Sequence, residues 1–94
     1  MTVEKFYYKY DKSSYKKDLA YVEITNNSDA KFVLKNIGMY EFFENSDLIE
    51  ILPHKKIQLQ VITLSVLDSF NLDFEVLNAI YEPRKHPKIS LEVR

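Results

Sequence analysis

The sequence predicts an all-β chain: one antiparallel β-sandwich of seven to eight strands, forming a single domain over residues 1–94. Three observations carry this prediction. Residues 20–25, 56–61 and 88–93 alternate apolar and polar side chains, and that period of two sends one set into a dry interior and the other into water. Turn-forming clusters, among them Asn26-Asn27-Ser28-Asp29, separate the candidate strands at intervals of roughly 8–12 residues, the spacing of two-sheet sandwiches. No segment reads as an amphipathic helix of several turns, so the crossover that parallel strands require is missing.

The elements follow in order. A first strand is expected over residues 4–10, with Phe6, Tyr8 and Tyr10 on one side and Lys5, Tyr7 and Lys9 on the other. Polar residues 11–18 turn the chain into a second strand over 19–25, whose end is marked by Asn26 to Asp29, side chains that bond their own backbone in turns. Residues 31–37 return with Phe32 and Leu34 inward, and Gly38, the only glycine, is expected to adopt a positive φ. A short edge strand over 39–43 and a turn at 44–47 lead into a strand over 48–52. There Ile49 and Ile51 alternate with Glu50 until Pro53, which cannot donate to a ladder, ends it.

Residues 56–63 form the clearest strand, with Ile57, Leu59 and Val61 inward and Gln58 and Gln60 outward. Val66 and Leu67 break the alternation, leaving room for one helical turn over 65–69. From Phe70 the apolar positions keep period two through Val76 and change parity at Leu77 and Ala79, a slip that predicts a β-bulge near 76–77. Leu72, Val76, Ala79 and Ile80 at helical spacing supply the competing reading of that stretch. Pro83-Arg84-Lys85-His86-Pro87 then turns the chain into the last strand over 88–93.

Composition bounds the class. Ninety-four residues with 46% hydrophobic, 29% charged and 14% aromatic content suit one globular domain with its own core. The chain has no cysteine, so packing must stabilise it without disulfides, as suits a reducing compartment. Thirteen Lys and Arg against 14 Asp and Glu give a net charge of -1 and no global attraction to nucleic acid or anionic membranes. The first residues lack the layout of a signal peptide, and no run has the apolar length of a membrane helix; the expected location is cytoplasmic, or secreted if the chain is cut from a longer secreted protein.

The run Val22-Glu23-Ile24-Thr25-Asn26-Asn27-Ser28-Asp29, followed by Leu52-Pro53-His54-Lys55-Lys56-Ile57-Gln58-Leu59-Gln60-Val61, resembles immunoglobulin-like and fibronectin-type-III-like modules of bacterial proteins. In those modules a strand ends in an Asn-x-Ser or Asn-x-Gly turn, and a later Leu-Pro segment leads into an alternating strand. The chain departs from antibody domains in lacking the cysteine pair and the core tryptophan. The resemblance implies a sandwich that binds proteins or sugars or acts as a spacer, and it carries over no functional residue.

No motif for catalysis is present. Gly38 stands alone, with no serine or cysteine at nucleophile-elbow spacing and no glycine-rich phosphate cradle. His54 and His86 lie too far apart in sequence for a short metal-ligand motif, each beside a proline and basic residues, so no metal or cofactor is expected. The acidic stretch Glu41, Glu44, Asp47 and Glu50 reads as a solvated face. Asn26-Asn27-Ser28 matches the N-glycosylation pattern and is read as a turn.

Two clusters are candidate partner-binding sites. Lys5, Tyr7 and Lys9 on the outward side of the first strand, with Tyr15 in the segment that follows, combine aromatics with lysines, and packing alone gives Tyr7 no purpose on that side. Arg84, Lys85 and His86 form a basic tip stiffened by Pro83 and Pro87, suited to a carboxylate or phosphate contact. The expected function is non-enzymatic: a module that binds a protein through the aromatic and basic first strand or a sheet edge. Two alternatives are a small phage or mobile-element inhibitor that blocks a host enzyme, and a carbohydrate-binding module whose platform would be Tyr7, Tyr15 and Tyr40. Nucleic acid and membrane are not expected partners.

Overall fold

In the computed structural model, which describes residues 1–8, 18–43, 47–79 and 83–94, strands form where the alternation is cleanest. They are β1 (Thr2–Tyr8), β2 (Asp18–Thr25), β3 (Phe32–Asn36), β4 (Glu41–Phe42), β5 (Leu48–Ile51), β6 (Lys56–Thr63), β7 (Phe70–Val76) and β8 (Lys88–Val93). They pair as two four-stranded sheets, β1-β2-β6-β4 and β5-β3-β7-β8, antiparallel throughout. Between β3 and β5 the chain crosses to the first sheet to add β4 beside β6 and then returns. The chain is therefore an all-β sandwich.

The inward positions meet as one core. Val22 and Ile24 of β2, Leu59 and Val61 of β6, Leu34 of β3, Ile51 of β5, Leu72 and Phe74 of β7 and Val93 of β8 are all buried. Each such side chain contributes about 1.5–3 kcal/mol when removed from water. Aromatic rings stitch the sheets together: Phe6 of β1 meets Phe70 of β7 edge-on at 5.3 Å, and Phe42 of β4 lies 6.1 Å from Phe74 of β7.

β1 begins two residues earlier than the pattern suggests, at Thr2, and carries an irregularity the alternation does not show; the expected positions 9 and 10 lie outside the described residues. Its register with β2 shifts between Val3 and Lys5. The extra residue lets Val3 and Phe6 both turn toward the core, whereas strict alternation would have sent Glu4 inward.

Three expectations are corrected. The parity change after Val76 is neither a bulge nor a helix: β7 ends there, and Leu77 and Asn78 form a turn. Residues 64–69 hold bends and no helical turn. Gly38 does not adopt a positive φ; among the described residues the positive-φ positions are His54 at 57° and Arg84 at 65°. A Cβ on Gly38 would lie 3.3 Å from the Asp73 backbone nitrogen, so the glycine permits close approach of backbones.

The antiparallel path sorts the connections between two ends. One end carries the β3–β4 and β6–β7 loops, with Arg94 beyond β8. The other carries Met1 and the β2–β3, β5–β6 and β7–β8 loops.

Candidate interaction surfaces

Lys5 and Tyr7 stand on the outer face of the first sheet, because Phe6 and Tyr8 take the inward positions of β1. Opposite Tyr7 in the register is Tyr21, and the two rings stack 5.3 Å apart at 12°. The Lys5 ammonium sits 5.0 Å from the Tyr7 ring centre, and the Gln58 amide donates to the Tyr7 hydroxyl at 3.1 Å. Lys56 Nζ pairs with Glu23 at 3.0 Å on the same face. Tyr7 thus has local partners. Tyr21 is stacked on the Tyr7 ring and the Lys5 ammonium lies over it. Tyr40 lies on the other side of the sheet, half-buried and edge-on to Phe70 at 5.2 Å, so Tyr7 and Tyr40 share no platform. Lys9, Tyr15 and Glu44 lie outside the described residues.

Arg84, Lys85 and His86 belong to the β7–β8 loop, away from the Lys5–Tyr7 face, so the structure does not join the two clusters into one site. Arg84 and Lys85 are exposed. His86 is half-buried and turns back, its Nδ1–H donating to the Ala79 carbonyl at 2.9 Å. His54, on the β5–β6 loop, pairs with Asp29 at 2.6 Å. Among the described residues no three His, Cys, Asp or Glu side chains gather as a metal site.

A third surface was not singled out from the sequence. Large apolar side chains are exposed on the loops of the β6–β7 end: Met39 at 84%, Leu64 at 100% and Val66 at 64%, with Ile37 beside them. Glu41 pairs with Ile62, so the chain before β4, through Met39, and the chain after β6, through Leu64, leave the sheet at the same end. Phe43 and Leu48 are exposed on the adjoining flank. The loop holding Leu64 and Val66 is fixed from beneath. The Thr63 hydroxyl donates to the Ser65 carbonyl at 2.8 Å, Tyr8 Oη meets Thr63 Oγ1 at 3.0 Å, and the Leu67 backbone N–H donates to Tyr8 Oη at 3.2 Å. Glu41, Asp47 and Asp68 are exposed around this end. In sequence Val66 reads only as a break in the alternation; the end of the β6 pairing at Thr63 shows that Leu64 and Val66 have no core to enter.

The strand partition defines the class. The first, second and sixth strands share one sheet while the third, seventh and eighth share the other, as A, B and E face C, F and G in immunoglobulin-type sandwiches. The chain belongs to the DUF5001 family, described as an Ig-like domain, whose profile matches residues 2–92. Among solved structures it is similar to a two-domain protein containing a predicted PHP-like metal-dependent phosphoesterase from Bacteroides vulgatus ATCC 8482, with a TM-score of 0.59 and 18% identity. The match covers 94% of this chain and 25% of that one, so the chain spans about a quarter of that protein's length, and the likeness is one of fold. No curated protein matches the chain.

Proposed function

We propose that this Ig-like domain is a non-catalytic docking module that holds a second folded protein domain against the apolar end formed by Met39, Leu64 and Val66. The carrying observation is Leu64, wholly exposed on a loop that Tyr8, Thr63 and Ser65 hold in place. A large apolar side chain on a fixed loop loses little freedom when it is covered, and apolar clusters within a polar rim mark protein contacts. The Bacteroides vulgatus protein supports a domain as the partner, since a segment of the same fold occupies a quarter of a two-domain chain there. The sequence supports a non-catalytic role, as it carries no nucleophile elbow, phosphate cradle or metal motif.

Site-specific photo-crosslinking tests this reading. A benzoylphenylalanine side chain placed at Leu64 is expected to capture a discrete protein adduct in the producing cells, and the same group at Tyr7 is not. Adding Met39→Asp and Val66→Asp to the Leu64-labelled chain should abolish the adduct without lowering the melting temperature, because both positions are exposed. Capture from Tyr7 alone, or an adduct indifferent to the two charges, would contradict the proposal.

A further inference from the structure

The four sheet edges are not equally protected. β1 carries the register shift at Val3 and Lys5, β4 is two residues long, and β5 is four residues long with Pro53 close behind. These are the devices by which natural sheets blunt an edge. β8 has six residues in unbroken register with β7 and contains no proline, and among the described residues no strand pairs with its outer side.

The hydrogen-bond phase of β8 follows from one bond. The Val76 N–H donates to the Pro87 carbonyl at 2.8 Å, so residues 87, 89, 91 and 93 direct their main-chain groups toward β7. The N–H and C=O groups of Lys88, Ser90 and Glu92 therefore point away from β7, along the outer edge of β8. Their side chains lie on the exposed face, while Ile89 and Leu91 lie half-buried on the core side.

We infer that β8 pairs with β8 of a second copy of this chain, antiparallel and centred on Ser90. In that register Lys88 faces Glu92 of the other copy and Glu92 faces its Lys88, with Ser90 opposite Ser90 and Ile89 opposite Leu91. Each residue with free main-chain groups meets another, giving about six inter-chain hydrogen bonds, two for each narrow pair. Opposite charges directly across a ladder are favourable, and the two-fold relation uses each of them twice. Lys88 would then lie between Glu75, its neighbour on β7, and the other copy's Glu92. Shifting the register by two residues in either direction sets serine opposite the charges and loses the match. The product is a continuous eight-stranded sheet that leaves the apolar end free, so this inference does not rest on the docking function proposed above.

Analytical ultracentrifugation of the whole chain tests it, at concentrations up to about 1 mM so that even a millimolar Kd is populated. The wild type is expected to show a concentration-dependent monomer–dimer equilibrium. Lys88→Glu and Glu92→Lys each place like charges across the ladder and should weaken self-association by roughly tenfold or more. Mixing the Lys88→Glu chain with the Glu92→Lys chain should restore a dimer containing one of each, because the charges again oppose. Melting curves establish that each variant is folded. The inference is overturned if the wild type stays monomeric throughout, if both variants dimerise like the wild type, or if the mixture gains nothing over its components. A dimer lost on Leu64→Asp and kept in both charge variants would place the contact at the apolar end and equally overturn it.

Discussion

The side-chain amide of Asn26 donates to the Ile51 carbonyl at 3.1 Å across the interior, joining the end of β2 to the end of β5. The same amide reaches the carbonyls of Ala30 and Leu52, its oxygen accepts from the Ser28 N–H and hydroxyl, and its backbone N–H donates to Lys55. Asn26 is fully buried, so its amide satisfies carbonyls that water cannot reach. This one residue ties the Asn-x-Ser turn to the Leu-Pro segment, the two stretches on which the family resemblance rests.

Asn26→Ala is accordingly expected to destabilise the fold by about 2–3 kcal/mol, since it strands buried acceptors. Asn26→Asp keeps the shape and the acceptor for Ser28 but removes the donors, and should cost at least as much. Urea denaturation measures both. A loss below about 0.5 kcal/mol, the range of ordinary surface changes, would show that the amide is dispensable. The same burial predicts no glycosylation at Asn26 in the folded chain, which intact mass after exposure to an oligosaccharyltransferase would reveal.

Gly38 offers a comparison between two physical causes. Because the constraint is proximity to Asp73 and not a left-handed backbone, Gly38→Asn should be less stable than Gly38→Ala, the larger side chain meeting the same neighbour. A positive φ would give the opposite order, since asparagine tolerates that conformation best. Thermal melts of the two variants decide it.

Tyr8→Phe removes the hydroxyl that receives the Leu67 N–H and meets Thr63 while leaving the ring in place. The expected cost is about 1 kcal/mol, with faster amide exchange at Leu67. Unchanged exchange there would mean that the loop is held by other contacts.

On the outer face, the stacked Tyr7–Tyr21 pair should show a coupling of about 0.5–1 kcal/mol in a double-mutant cycle to alanine. Additive losses would return Tyr7 to the role of an exposed residue available to a partner.

The strands with one dry and one wet face, β2, β6 and β8, are legible in the sequence because their alternation encodes both the strand and its facing. The irregular features are less so. The shift in β1 inserts one residue, and no single side chain announces it. Leu77 and Ala79 change parity because the chain turns there, and a turn and a bulge produce the same local pattern. Lys5 and Tyr7 fall on the expected side, but Tyr21 is brought opposite Tyr7 only by pairing across the sheet. The apolar end is invisible to periodicity because Met39, Leu64 and Val66 come from separate loops and differ from core residues only in having nothing packed over them.

Two central strand pairs, β2 with β6 and β3 with β7, enclose a dry interior, and among the described residues no strand covers the outer edge of β8. Residue-resolved hydrogen exchange on dilute protein tests this most directly. It predicts the slowest amides at Val22, Leu59 and Leu34 and an alternation along β8, with Ile89 and Leu91 protected and Lys88, Ser90 and Glu92 exchanging freely. Uniform protection along β8, or fast exchange at Val22 and Leu59, would contradict it.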